Sequence, residues 1–226
     1  MKDFKPPFPY LRQSSRGTRA NKLSMAAPMA ARWTYRHSLS YIENLYNLVI
    51  WMDVENSKRW KPERDPSTGK NMTYCDEYSE DFLDQLFGPY KLPFAASVWW
   101  TDKSLESIKA GSIPAISWPT TVKSNGAKGL NDWLHNWSST YGWQVFENEE
   151  DFYNWLNSPG NHIGVISTDG HVTIALPDKV NPLVKTSGTI PLQTQAGAQN
   201  KQFFRSNSWY KKSSSTIFCG IKFTSI

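Results

Sequence analysis

Cysteine is scarce in this chain of 226 residues: there are two, Cys75 and Cys219, 144 positions apart. Two so widely spaced thiols exclude a disulfide-built scaffold, and no Cys, His or Asp set has the spacing of a zinc site. Long apolar runs are also missing. The longest, Leu45 to Met52, is too short to cross a bilayer, and the basic N-terminus is not followed by the apolar stretch of a secretory signal. The expectation is therefore no membrane span and no signal peptide. There is no glycine-rich phosphate loop, no basic-aromatic nucleic-acid motif and no repeat of roughly 20 to 50 residues. These absences point away from nucleotide, nucleic acid, metal and cofactor.

What is present is enough apolar and aromatic residue, 39% and 14%, for one globular core with extensions. The net charge is +5, and the excess is uneven: Met1 to Arg36 holds eight Lys or Arg against one Asp. Residues 1–32 mix these charges with Pro6-Pro7-Phe8-Pro9 and several serines, the composition of a loosely ordered basic leader. The remainder, 33–226, reads as a single domain. Leu39, Ile42, Leu45, Tyr46, Val49, Ile50 and Met52 recur at helical spacing within Trp33 to Asn56. The charged stretch from Glu55 to Lys70, with Pro62 and Pro66, reads as a connector.

The connector leads into Thr73-Tyr74-Cys75-Asp76, where the pattern predicts a helix from about Tyr74 to Phe87, stopped by Gly88-Pro89. Thr73 and Asp76 have capping-box spacing. Positions 75, 79, 82, 83 and 86 share one face, so Cys75 stands at the head of the inward stripe. A helix start favours thiolate over thiol. Asp76, Glu77, Glu80 and Asp81 oppose it, so a nucleophilic Cys75 needs a histidine partner.

Beyond this helix, Leu92 to Trp100, a short helix over Thr101 to Lys109 and a Gly/Pro/Ser-rich loop through Asn125 are expected. Helices at Gly129 to Trp137 and Asp151 to Leu156 follow. Trp133, Trp137, Tyr141 and Trp143 make an aromatic middle, suited to core or to a groove wall. The last third is β-rich. His162 to Ser167 and His171 to Leu176 flank Thr168-Asp169-Gly170, a strong hairpin signal. Thr189 to Gln195, Gln202 to Phe204 and Thr216 to Phe223 are further strands, the last placing Cys219 in packing. Helices first and an antiparallel sheet afterwards make an α+β order. His171 opens a strand, with His162 as its competitor across the hairpin; His37 and His135 read as structural or exposed, and Asp169 as a turn residue.

Taken together, Asn56, Trp60-Lys61-Pro62, Thr73-Tyr74-Cys75-Asp76 opening a helix, Gly142-Trp143, Gly170-His171-Val172 with Pro177 after it, and Gln195-Ala196-Gly197 resemble the NlpC-type and CHAP-type cell-wall hydrolases. The resemblance covers roughly Glu55 to Phe223. It implies a papain-like α+β fold, N-terminal helices packed on a C-terminal antiparallel sheet, and cysteine peptidase or amidase activity on the peptide part of bacterial peptidoglycan, without metal or cofactor. Residue by residue it makes Cys75 the nucleophile, His171 the general base and Gln195 the residue orienting the imidazole, with Gln193 the rival for that third role. Tyr74, Asp76 and Trp143 fall at oxyanion or substrate positions. The chain departs from the pattern at Asp76, where relatives often have Asn, and at Asn157-Ser158-Pro159-Gly160. The missing signal peptide suits a phage lysin, a toxin with a delivery or immunity protein for partner, or a fragment of a longer protein. Two other readings stay open: an inactive glycan- or peptide-binding module of the same fold, and a Cys-His acyltransferase or deamidase acting on a protein.

Overall fold

The computed structural model describes residues 33–57, 60–64, 69, 71–87, 126–139, 142–185 and 188–223. The basic leader, the 92–100 stretch, the 101–109 helix and the loop after it lie outside the described residues.

The first helix, α1 (Tyr41–Met52), begins later than the apolar periodicity alone suggested. Ser40 and Glu43 form a reciprocal capping box there, which satisfies amides that an earlier start would have to satisfy elsewhere. Asp53 closes the helix in the left-handed region. The connector contains a small ribbon, β1 (Glu63–Arg64) paired with β2 (Asn71–Met72). Then comes the cysteine helix, α2 (Cys75–Phe87). Its first bond runs from the Tyr78 N–H to the Tyr74 carbonyl, so Tyr74, not Thr73, stands at the cap position. Helix α3 (Gly126–Trp137) and helix α4 (Glu149–Leu156), capped by Asn148, follow in the described residues.

Six strands form one antiparallel sheet: β3 (Gln144–Phe146), β4 (Asn161–Ser167), β5 (Val172–Leu176), β6 (Leu192–Gln195), β7 (Lys201–Phe204) and β8 (Ile217–Phe223). Their spatial order is β3-β8-β4-β5-β6-β7. The architecture is therefore mixed α+β, as expected. Both faces of the central strands are covered, which explains why β4 and β5 read as unbroken apolar runs rather than alternating ones. Ile163, Val165, Val172, Ile174, Leu176 and Cys219 share one core with Leu45, Leu48, Val49, Tyr78, Phe82 and Leu83 of the first two helices. Ile166, Ala175 and Phe218 face the other way, into a smaller core with Phe152 and Leu156 of α4. Full burial of each such aliphatic or aromatic side chain contributes about 1.5–3 kcal/mol.

Helix α4 comes unusually near the sheet because glycine leaves room for it. A Cβ on Gly164 would collide with the Phe152 ring, and one on Gly220 with the Trp155 ring. Cys219 is fully buried beside this point, consistent with packing.

Candidate active site

Cys75 is the first residue of α2 and is only 3% exposed. Behind it, Tyr78, Ser79, Phe82, Leu83 and Leu86 are all buried, so the stripe read from the sequence does face inward. The helix is pinned sideways as well as packed. The Tyr78 and Thr194 hydroxyls are 2.6 Å apart across the interface between α2 and β6. A buried bond of this kind contributes on the order of 1 kcal/mol and, more usefully, fixes the helix against the strand that ends in Gln195.

Three backbone N–H groups favour negative charge on the sulfur: that of Val172 first, then those of Asp76 and Cys75 itself. Burial outweighs them, the neighbouring Asp76 carboxylate adds to it, and the thiol is pushed up to about 12. The helix start therefore does not make a resting thiolate, and the charge opposition read from the sequence prevails at Asp76. Cys75 and Val172, the residue directly after His171, belong to the same buried core, so the hairpin strand that follows His171 packs on the cysteine helix.

His171 sits at the mouth of the hairpin, one residue before β5 begins. Thr168 fixes the turn: its N–H donates to the His171 carbonyl at 2.8 Å, and its Oγ1 accepts the His171 N–H at 3.1 Å. The imidazole Nε2 is 2.7 Å from Oε1 of Gln195. Gln195 spends its own Nε2 donor on the Gln199 carbonyl at 3.0 Å, leaving Oε1 as an acceptor towards the ring. The tautomer follows: Nε2 carries the proton and Nδ1 keeps its lone pair. The Trp209 ring stands edge-on to the imidazole with centroids 4.7 Å apart, closing another side. Burial lowers the His171 pKa, and the Gln195 bond partly offsets this. The ring is neutral at neutral pH. Among the described residues no hydrogen bond joins it to the thiol.

Gln193, the rival third residue, is fully buried and turned elsewhere. Its Oε1 faces Thr173 and Trp209, and its Nε2 donates to the Pro191 and Ser206 carbonyls. An irregularity in the β6–β7 pairing between Gln193 and Gln195 separates the environments of the two amides. Tyr74 and Asp76 flank the thiol and are buried, and Trp143 lies inside the main core at 2% exposure, so its ring is a packing surface. His162 is at the opposite end of the hairpin and packs at a tilt against Trp155 of α4. His37 and His135 are exposed. Asp169 accepts from the Ser215 hydroxyl, an ordinary turn contact. Among the described residues no group of three His, Cys, Asp or Glu could hold a metal ion.

Sequence reasoning did not single out Trp209 or Thr194. Trp209 lies in a polar loop with no periodicity, whereas Thr194 lies between Gln193 and Gln195, on the strand face opposite theirs, where a hydroxyl facing a helix is a readable signal. Among the described residues no helix is long and apolar enough to cross a membrane. Comparison with known proteins gives no matching family model, no matching curated sequence and no matching solved structure.

Proposed function

We propose that this chain is a cysteine-dependent amide hydrolase of papain-like architecture, with Cys75 as nucleophile, His171 as general base and Gln195 as the residue that orients it. The observation that carries this reading is the 2.7 Å contact of His171 Nε2 with Gln195, made on a hairpin whose next residue, Val172, shares a buried core with Cys75. A neutral imidazole with its free lone pair on Nδ1 suits a thiol that stays protonated at rest. In the first step that proton passes to Nδ1 as sulfur bonds to the amide carbon. The protonated ring then returns the proton to the departing nitrogen as the C–N bond breaks, leaving a thioester. Water attacks the thioester, giving one proton to the ring, which returns it to sulfur. The N–H groups around Cys75 are the nearest donors for the oxyanion.

The substrate class follows from the motif resemblance alone: the peptide part of bacterial peptidoglycan, reached after delivery to the wall. Incubating the protein with purified peptidoglycan and weighing the released fragments by mass spectrometry identifies the bond cut. Digestion that survives Cys75→Ala rules the mechanism out. Intact wall together with a mass change on an added protein substrate favours the acyltransferase or deamidase chemistry instead.

One observation favours the inactive binding module. The thiol is buried, its pKa is pushed up to about 12, and no imidazole bond relieves it. Alkylation of Cys75 near neutral pH separates the two readings: an inert thiol reacts no faster than a free model thiol, an activated one faster.

A further inference from the structure

The Gln195 amide could face His171 with either end, and only one end leaves Nδ1 free for the thiol. What decides this lies in the turn after β6. Gln199 offers a carbonyl to the Gln195 Nε2, and Gly197 packs so close that an added Cβ would stand 3.2 Å from both Gln195 Nε2 and His171 Cε1. The turn is itself held by one side chain. Asn200 Oδ1 accepts the Gly197 N–H at 3.0 Å, while its Nδ2 donates to the Val54 carbonyl at 2.9 Å and the Trp60 carbonyl at 3.1 Å. Trp60 in turn stands edge-on to Tyr78 with centroids 5.2 Å apart and donates its Nε1 to Asp81 at 3.0 Å, both on the cysteine helix.

We propose that Asn200 is a positioning residue that sets the His171 tautomer, by clamping the Gly197–Gln199 turn to the segment that braces the cysteine helix. The proposal rests on the Cys75/His171 reading for its consequence in catalysis, but not for its structural content. The chemistry explains the residue type: one acceptor and two donors are needed in a single short, flat group. Aspartate offers the acceptor but no donor and would set negative charge against two carbonyls. Serine has one donor, and alanine has neither.

The test uses the full chain with ¹⁵N-labelled histidine. In the wild type the His171 signals belong to a single neutral tautomer with the proton on Nε2. Asn200→Ala and Asn200→Asp are expected to turn this into a mixture, as Gln195→Ala does. On peptidoglycan, kcat falls about 10- to 100-fold with KM little changed, because the base is misaligned rather than removed. A folded Asn200→Ala protein that keeps the pure Nε2–H tautomer overturns the proposal. Should both variants fail to fold, amide exchange in the wild type decides it: strong protection of the Gly197 N–H supports the clamp, and exchange at open-loop rate overturns it. A wild type that spares peptidoglycan, or a Cys75→Ala variant that still digests it, defeats the hydrolase reading while the tautomer result stands or falls separately.

Discussion

Each end of the β4–β5 hairpin carries a histidine, half-buried His171 at one and buried His162 at the other, and the two are handled in opposite ways. At the mouth, His171 has Gln195 on one nitrogen and Trp209 edge-on to its ring. At the far end, His162 is 1% exposed, its ring lies 4.4 Å from that of Trp155, and among the described residues neither nitrogen has a hydrogen-bond partner of good geometry. Burial lowers the pKa of both. At His162 the Lys222 charge adds to that lowering, with a Ser158 backbone group opposing it, whereas at His171 only the Gln195 amide opposes burial. A pKa lowered by desolvation is thus common to both sites, and what distinguishes the His171 end is a polar neighbour that fixes where the proton sits.

Substituting each histidine by glutamine breaks the comparison most sharply. On the proposed hydrolase reading, His171→Gln is expected to lower peptidoglycan hydrolysis by about 10³-fold or more, since it removes the proposed base, while His162→Gln, a core change at the other end of the hairpin, leaves kcat within about twofold. Equal losses in the two variants would remove the distinction. Next in size, Gln195→Ala should cost about 10- to 100-fold in kcat by releasing the ring, whereas Gln193→Ala should show mainly in stability, by about 1–3 kcal/mol in denaturant unfolding, for the buried groups it leaves unpaired.

A third contrast concerns the α4 side. Gly220→Ala should destabilise by about 1–3 kcal/mol through overpacking against Trp155, with the effect read as a lower denaturation midpoint at unchanged slope and little change in kcat.

The smallest effect is on the pH dependence of folding. Both histidines bind protons less readily folded than unfolded, so the unfolded state takes up more protons on acidification. Their contribution to stability is present above the unfolded value of about 6.5 and is lost as pH falls below it. Melting temperatures measured from pH 7.5 downwards should therefore decline, and less steeply in His162→Gln. Cys75 acts at the other limb: a thiol held protonated to about 12 loses stability as pH rises past the ordinary thiol range.

Much of this was legible in the residues. The Asp169-Gly170 turn, the β-branched runs beside it and the stripe from Cys75 to Leu86 each report a local rule, and the rule held in place. The start of α1 was also written in the chain, since Ser40 and Glu43 have capping-box spacing; apolar periodicity hid it by continuing upstream to Leu39. The two-residue ribbon of β1 and β2 and the three-residue β3 are too short to carry a period. Gln195 was preferred to Gln193 only through the motif resemblance, because a pleat shows both amides on one face; the irregular β6–β7 pairing and the Gln199 carbonyl are what separate them in the fold. Asn200 and Trp209 were invisible for a related reason. Their roles arise from carbonyls and rings brought close by the fold, which no spacing along the chain encodes.

The last strand described, β8, lies between β3 and β4 rather than at an edge. During synthesis, β4 must therefore wait with one flank unpaired until some fifty later residues have left the ribosome. The hairpin that carries His171 can close early, but the sheet around it is completed only when β8 arrives. Until then the open edge of β4 is a template on which another chain can pair.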